Sequence, residues 1–140
     1  MSLKLENYKT LSKYYIQTIQ DLFAFSKEVN IIPVQYVFLY SLINEYIVEN
    51  RLLLIENGFI YILKNKDYIE TFNIDNLDNN ENLEVYSDIK NIIEQKNNNE
   101  IKIFFSILEN AKQLDINEKK VIKEYLNMIL LILDKLNNLL

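Results

Sequence analysis

Arg51-Leu-Leu-Leu-Ile-Glu-Asn57-Gly58-Phe-Ile-Tyr-Ile-Leu-Lys64 is the stretch on which the fold turns. It holds the chain's single glycine between two apolar runs, and the single proline, Pro33, stands not far before it. Asn-Gly between apolar runs is a strong hairpin signal, because a type I′ turn needs φ > 0 at both central residues. The sequence therefore predicts a β-hairpin with Ile55 opposite Ile60, Leu54 opposite Tyr61 and Leu53 opposite Ile62. Alternation would put Leu53, Ile55, Ile60 and Ile62 on one face and Leu52, Leu54, Phe59, Tyr61 and Leu63 on the other. Both faces are apolar, so both call for a cover. A third strand is expected over Tyr68-Ile-Glu-Thr-Phe-Asn-Ile74, making a three-stranded meander over residues 51–74.

Helices are expected on either side. Tyr8, Leu11, Tyr15, Ile19, Leu22 and Val29 recur at helical steps and predict an amphipathic helix over 5–29. Pro33 biases Ile32 out of the helical region and suits the first position of a second helix over 33–49. That helix is apolar on nearly all sides, which predicts a central position. Leu83, Tyr86, Ile89 and Ile93 predict a helix over 81–96. Ile101, Ile103, Phe105 and Ile107 alternate like a strand, yet Ile101, Phe104, Phe105, Leu108 and Ala111 fit a helix better. Asp115 and Glu118 have the spacing of a capping box ahead of a last helix. Along it Ile122, Leu126, Ile129, Leu133, Leu136 and Leu140 form a heptad stripe, either bundle core or the seam of a homodimer. The expected fold class is thus α+β and helix-rich, about five helices around a small antiparallel sheet, in one compact domain over 1–140.

Composition narrows the chemistry. A chain of 140 residues suits one domain and can bury roughly 70% of its unfolded surface. No histidine and no cysteine are present, which excludes the usual zinc sites, serine–histidine hydrolysis and cysteine nucleophiles. One glycine cannot build a P-loop or a dinucleotide fingerprint, and a single Arg51 leaves little capacity for bidentate phosphate clamping. Glu45 and Glu49, at i and i+4, could hold a divalent cation or could equally be solvated carboxylates. Asp75-Asn-Leu-Asp-Asn-Asn-Glu-Asn82 has a calcium loop's composition but not its register. No cofactor is expected.

Net charge is −5, and the acidic excess sits in 76–100, where Lys90 and Lys96 face Asp78, Glu81, Glu84, Asp88, Glu94 and Glu100. Asp75, Asp78, Glu81, Glu84 and Asp88 are the candidate protein-binding residues, facing a partner with a basic surface. A helix followed by a hairpin also invites a winged-helix reading with a DNA-binding or regulatory role. Against it, the 34–48 helix has no lysine or arginine with which to neutralise phosphate, so nucleic acid is not the expected partner. No apolar run approaches the ~20 residues of a membrane span, and the first residues lack the apolar core of a secretory leader. The absence of cysteine fits the cytosol. Heavy use of Asn, Ile, Lys and Tyr points to an AT-rich genome. The expected function is a small acidic cytosolic protein that binds another protein by surface occlusion, as an inhibitor, immunity or adaptor protein does, and is not an enzyme. The possible homodimer would form through Ile122, Leu126, Ile129, Leu133 and Leu136.

Overall fold

The computed structural model describes residues 3–37, 40–70 and 99–139. Helix α1 runs over Leu3–Glu28 and buries Tyr15, Ile16, Ile19, Leu22 and Phe23. Its end is closed by Asn30 in the left-handed conformation, φ 61°. The Ile31 amide donates to the Ser26 carbonyl at 2.9 Å and the Asn30 amide to the Lys27 carbonyl at 3.1 Å. That pair of bonds is a Schellman motif, with asparagine where glycine is commonest. Ile31 and Ile32 are buried beyond it. The helix expected over 33–49 is described in two pieces, α2 (Val34–Val37) and α3 (Tyr40–Glu49). The Tyr36 amide donates to the Pro33 carbonyl at 2.9 Å, so Pro33 stands just ahead of α2, at the cap, one residue before the first helical position expected for it.

The expected hairpin is not formed. Arg51–Asn57 is helix α4, Gly58–Ile62 a π-helical turn, Leu63–Asn65 a 3-10 turn and Lys66–Glu70 helix α5. Asn57 (φ −62°, ψ −35°) and Gly58 (φ −59°, ψ −43°) are both right-handed helical, so the positive φ of a type I′ turn is absent. Burial sorts this stretch at helical rather than alternating spacing. Leu54, Ile55, Gly58 and Ile62 are inside, whereas Leu52, Leu53 and Ile60 are exposed. Of the expected third strand, 68–70 belong to α5 and 71–74 lie outside the described residues. No strand occurs among the described residues, so the α+β class is corrected to all-helical there. The winged-helix topology falls with the hairpin, because its wing tip, 56–59, is helix.

Gly58 has a different task from the one its neighbour Asn57 implied. A Cβ at this position would come within 2.7 Å of the Tyr15 hydroxyl oxygen and 2.8 Å of a Leu133 methyl. Glycine therefore lets the π turn press against α1 and the last helix. What the position needs is the missing side chain, and its backbone freedom goes unused.

The helix expected over 81–96 lies outside the described residues. Helix α6 (Asn99–Asn110) resolves the alternating Ile101–Ile107 segment as helix. It buries Ile101, Ile103, Phe104, Phe105, Ile107 and Leu108; of the 33–49 segment expected to be central, Ile47 is fully buried. Val34, Val37, Leu42 and Val48 of that segment are exposed. Asn110 Nδ2 donates to the Ile31 carbonyl at 2.8 Å and ties the end of α6 to the exit of α1.

Helix α7 (Ile116–Leu139) starts at the expected capping box. The Glu118 amide donates to Asp115 Oδ1 at 2.8 Å, and the Asp115 amide faces Glu118 Oε1 at 3.5 Å. Ile122, Leu126, Ile129, Leu133 and Leu136 are almost wholly buried within the chain. Each contributes about 1.5–3 kcal/mol by leaving water. Among the described residues the most extensive helix–helix contact is that of α1 with α7. A homodimer through the five stripe residues would have to open that core. The buried apolar side chains make one cluster spanning all the longer helices. Among the described residues no helix is long and apolar enough to cross a membrane.

Candidate functional site

Two features of this bundle are not explained by apolar burial. The first is a polar centre inside the core. At the end of α4, Asn57 is 7% exposed, and its Nδ2 donates to Glu100 Oε1 at 2.6 Å. Glu100, in the first turn of α6, is 5% exposed, and its Oε2 has no hydrogen-bond partner among the described residues. Tyr15 reaches in from α1 with its hydroxyl 3.4 Å from the Leu54 carbonyl, long for such a bond. Burial, and secondarily the Glu100 charge, holds the Tyr15 hydroxyl far above its ordinary pKa of 10. The Tyr46 hydroxyl is raised by the same two causes in the same order, and burial raises that of Tyr36.

This centre contains a carboxylate, an amide and a phenol, closed off from solvent. A buried amide–carboxylate bond is costly to leave half made, because either partner alone is a desolvated polar group. It therefore fixes where α4 sits along α6. A catalytic carboxylate must reach a reactant, and the near-zero exposure of these groups argues for the structural role.

The second feature is on the surface. Gln20, Asp21 and Ala24 of α1 and Asn44, Glu45, Val48 and Glu49 of α3 line an open groove of about 480 Å³. Steps of one, three and four residues bring each set to one side of its helix. Among the described residues, three carboxylates and no lysine or arginine line the groove. Val48, 46% exposed, adds apolar lining. Gln17 Nε2 holds Asp21 Oδ1 at 3.0 Å. Asn44 keeps Oδ1 out of solvent with no hydrogen-bond partner among the described residues. No group of three carboxylates among the described residues is placed to hold a metal ion. Thus the Glu45–Glu49 pair shares a charged groove with Asp21.

Asp75, Asp78, Glu81, Glu84 and Asp88, the acidic residues singled out from sequence, lie outside the described residues. Sequence reasoning noticed Glu45 and Glu49 but missed Asp21, Ala24 and Val48. Nothing local links Asp21 to Glu45, since the pairing of α1 with α3 is tertiary. No protein-family model matches this chain, and comparison with curated proteins and with solved structures finds no match to either.

Proposed function

We propose that the protein acts in the cytosol by binding another protein and covering part of its surface, as an inhibitor, immunity or adaptor protein does, without catalysing a reaction. The observation that carries this reading is the placement of exposed apolar side chains. Among the described residues, Val34, Val37, Leu42, Val48, Leu52, Leu53 and Ile60 are all exposed within one stretch of the chain, 34–60. Single exposed hydrophobics are ordinary and interaction surfaces carry contiguous apolar patches; seven exposed apolar side chains so close in sequence support such a patch here. The acidic residues Asp75, Asp78, Glu81, Glu84 and Asp88 would add charge selection for a basic partner.

The test is affinity capture from the native lysate followed by mass spectrometry, with Leu52→Lys/Ile60→Lys beside the wild type. Both positions are solvent-facing, so stability should stay within about 1 kcal/mol. The specifically captured protein should fall at least about tenfold in yield, as expected when apolar anchors are lost. Equal capture by a folded variant would refute binding through this stretch.

A further inference from the structure

The groove between α1 and α3 has the form of a seat for one kind of partner segment. Its long walls are two helices. Among the described residues its charged side chains are all carboxylates, Asp21 on one wall and Glu45 and Glu49 on the other, and Ala24 and Val48 add apolar lining. From Asn44 to Glu49 the α3 wall rises about 8 Å, which suits one and a half turns of a docked helix. A helix laid in such a groove is held by an apolar side chain against the floor and charges matched along the edges.

We propose that this groove docks a basic amphipathic helix of a partner protein, seating an aliphatic side chain against Ala24 and Val48 and lysine or arginine side chains against Asp21, Glu45 and Glu49. The inference rests on the protein-binding reading above and names the partner's chemistry. Charge complementarity selects this occupant over a second copy of the chain. Two copies meeting groove to groove would bring their carboxylates face to face, and like charges in juxtaposition are strongly disfavoured. The same argument excludes acidic segments and nucleic acid.

The probe is a synthetic amphipathic peptide of leucine and lysine, about 18 residues long so that it can form a helix. Calorimetry measures its affinity for the full chain, and amide chemical shifts map its position. Two triple variants lose the same amount of negative charge: Asp21→Asn/Glu45→Gln/Glu49→Gln in the groove, and Glu6→Gln/Asp67→Asn/Glu124→Gln on exposed surface elsewhere. The groove variant should bind about tenfold more weakly, the control variant less than about twofold more weakly, with shifts centred on 20–24 and 44–49. A peptide with serine in place of leucine should lose binding although its charge is unchanged.

Equal weakening in both variants would show general attraction to an acidic protein and would overturn the proposal. So would no binding at all, shifts centred elsewhere, or self-association by light scattering that the groove variant alone abolishes. Lysate capture separates this proposal from the reading beneath it. If the groove variant captures normally while Leu52→Lys/Ile60→Lys does not, the groove is wrong and protein binding stands. If neither variant changes capture, binding through 34–60 falls as well.

Discussion

Gly58 shows how one residue can mean two things. The pair Asn57-Gly58 carries the strongest local turn signal in the chain, and that signal is conformational. The space around Gly58 is tertiary: Tyr15 approaches from α1 and Leu133 from α7. Two opposed effects meet in Gly58→Ala. Alanine is the better helix former by about 1 kcal/mol, while overpacking a filled core costs about 1–3 kcal/mol. The Tyr15 ring is stiff and wholly buried, and Leu133 is buried too, so neither can yield cheaply. Gly58→Ala should therefore lose stability by urea unfolding, by up to about 2 kcal/mol. A gain in stability would mean that the contact with Tyr15 relaxes freely. In retrospect Leu54, Gly58 and Ile62 already stood at four-residue steps, a helical signal that the dipeptide outweighed.

At the scale of elements, the legible parts were those whose causes are local. Helix α1 was expected over 5–29 and runs over Leu3–Glu28. Its 3.6-residue periodicity is long enough to be unambiguous. Helix α7 was legible because the Asp115–Glu118 cap and the Ile122–Leu136 stripe agree. The exit of α1 was not, since asparagine at a left-handed position needs the fold to select it. Asn30 supplies a specific test, because a left-handed residue with a Cβ costs roughly 1 kcal/mol. Asn30→Gly should hold or slightly raise stability, and Asn30→Ala should lower it by about 1 kcal/mol. Equal unfolding midpoints for the two would contradict a Schellman closure as the source of order there. The stretch 51–65 was misread for the opposite reason. Apolar side chains all round fit a two-sided strand or a buried helix equally, and only the packing of α1, α6 and α7 against it decides.

For the whole molecule, the buried Tyr15 phenol makes stability depend on alkaline pH with a definite sign. The Tyr15 hydroxyl has a folded pKa well above its ordinary 10, so between those values the unfolded chain loses a proton that the folded chain keeps. The stabilisation is complete below about pH 10 and is lost as pH rises above it, at up to about 1.4 kcal/mol per pH unit for this group. Tyr36 and Tyr46 shift in the same direction. Urea midpoints followed from about pH 9 to 11.5 should fall, and Tyr15→Phe should remove about one proton's share of the slope. An unchanged slope in that variant would assign the effect to other tyrosines. The candidate groove was half legible. Glu45 and Glu49 are neighbours on α3 by spacing alone, whereas Asp21 joins them through the fold.

The pairing of α1 with α7 also has a consequence for synthesis on the ribosome. The buried stripe of α1, Tyr15 to Phe23, finds its main partner in residues that begin only at Ile116. At about 5–20 residues per second, the first helix waits roughly 5–20 s for the last one to be translated and emerge. During that interval its apolar side chains have no native shelter from α7. Completion of this part of the core is therefore a late event in the life of each new chain, and the apolar face of α1 is the one that must stay soluble until then.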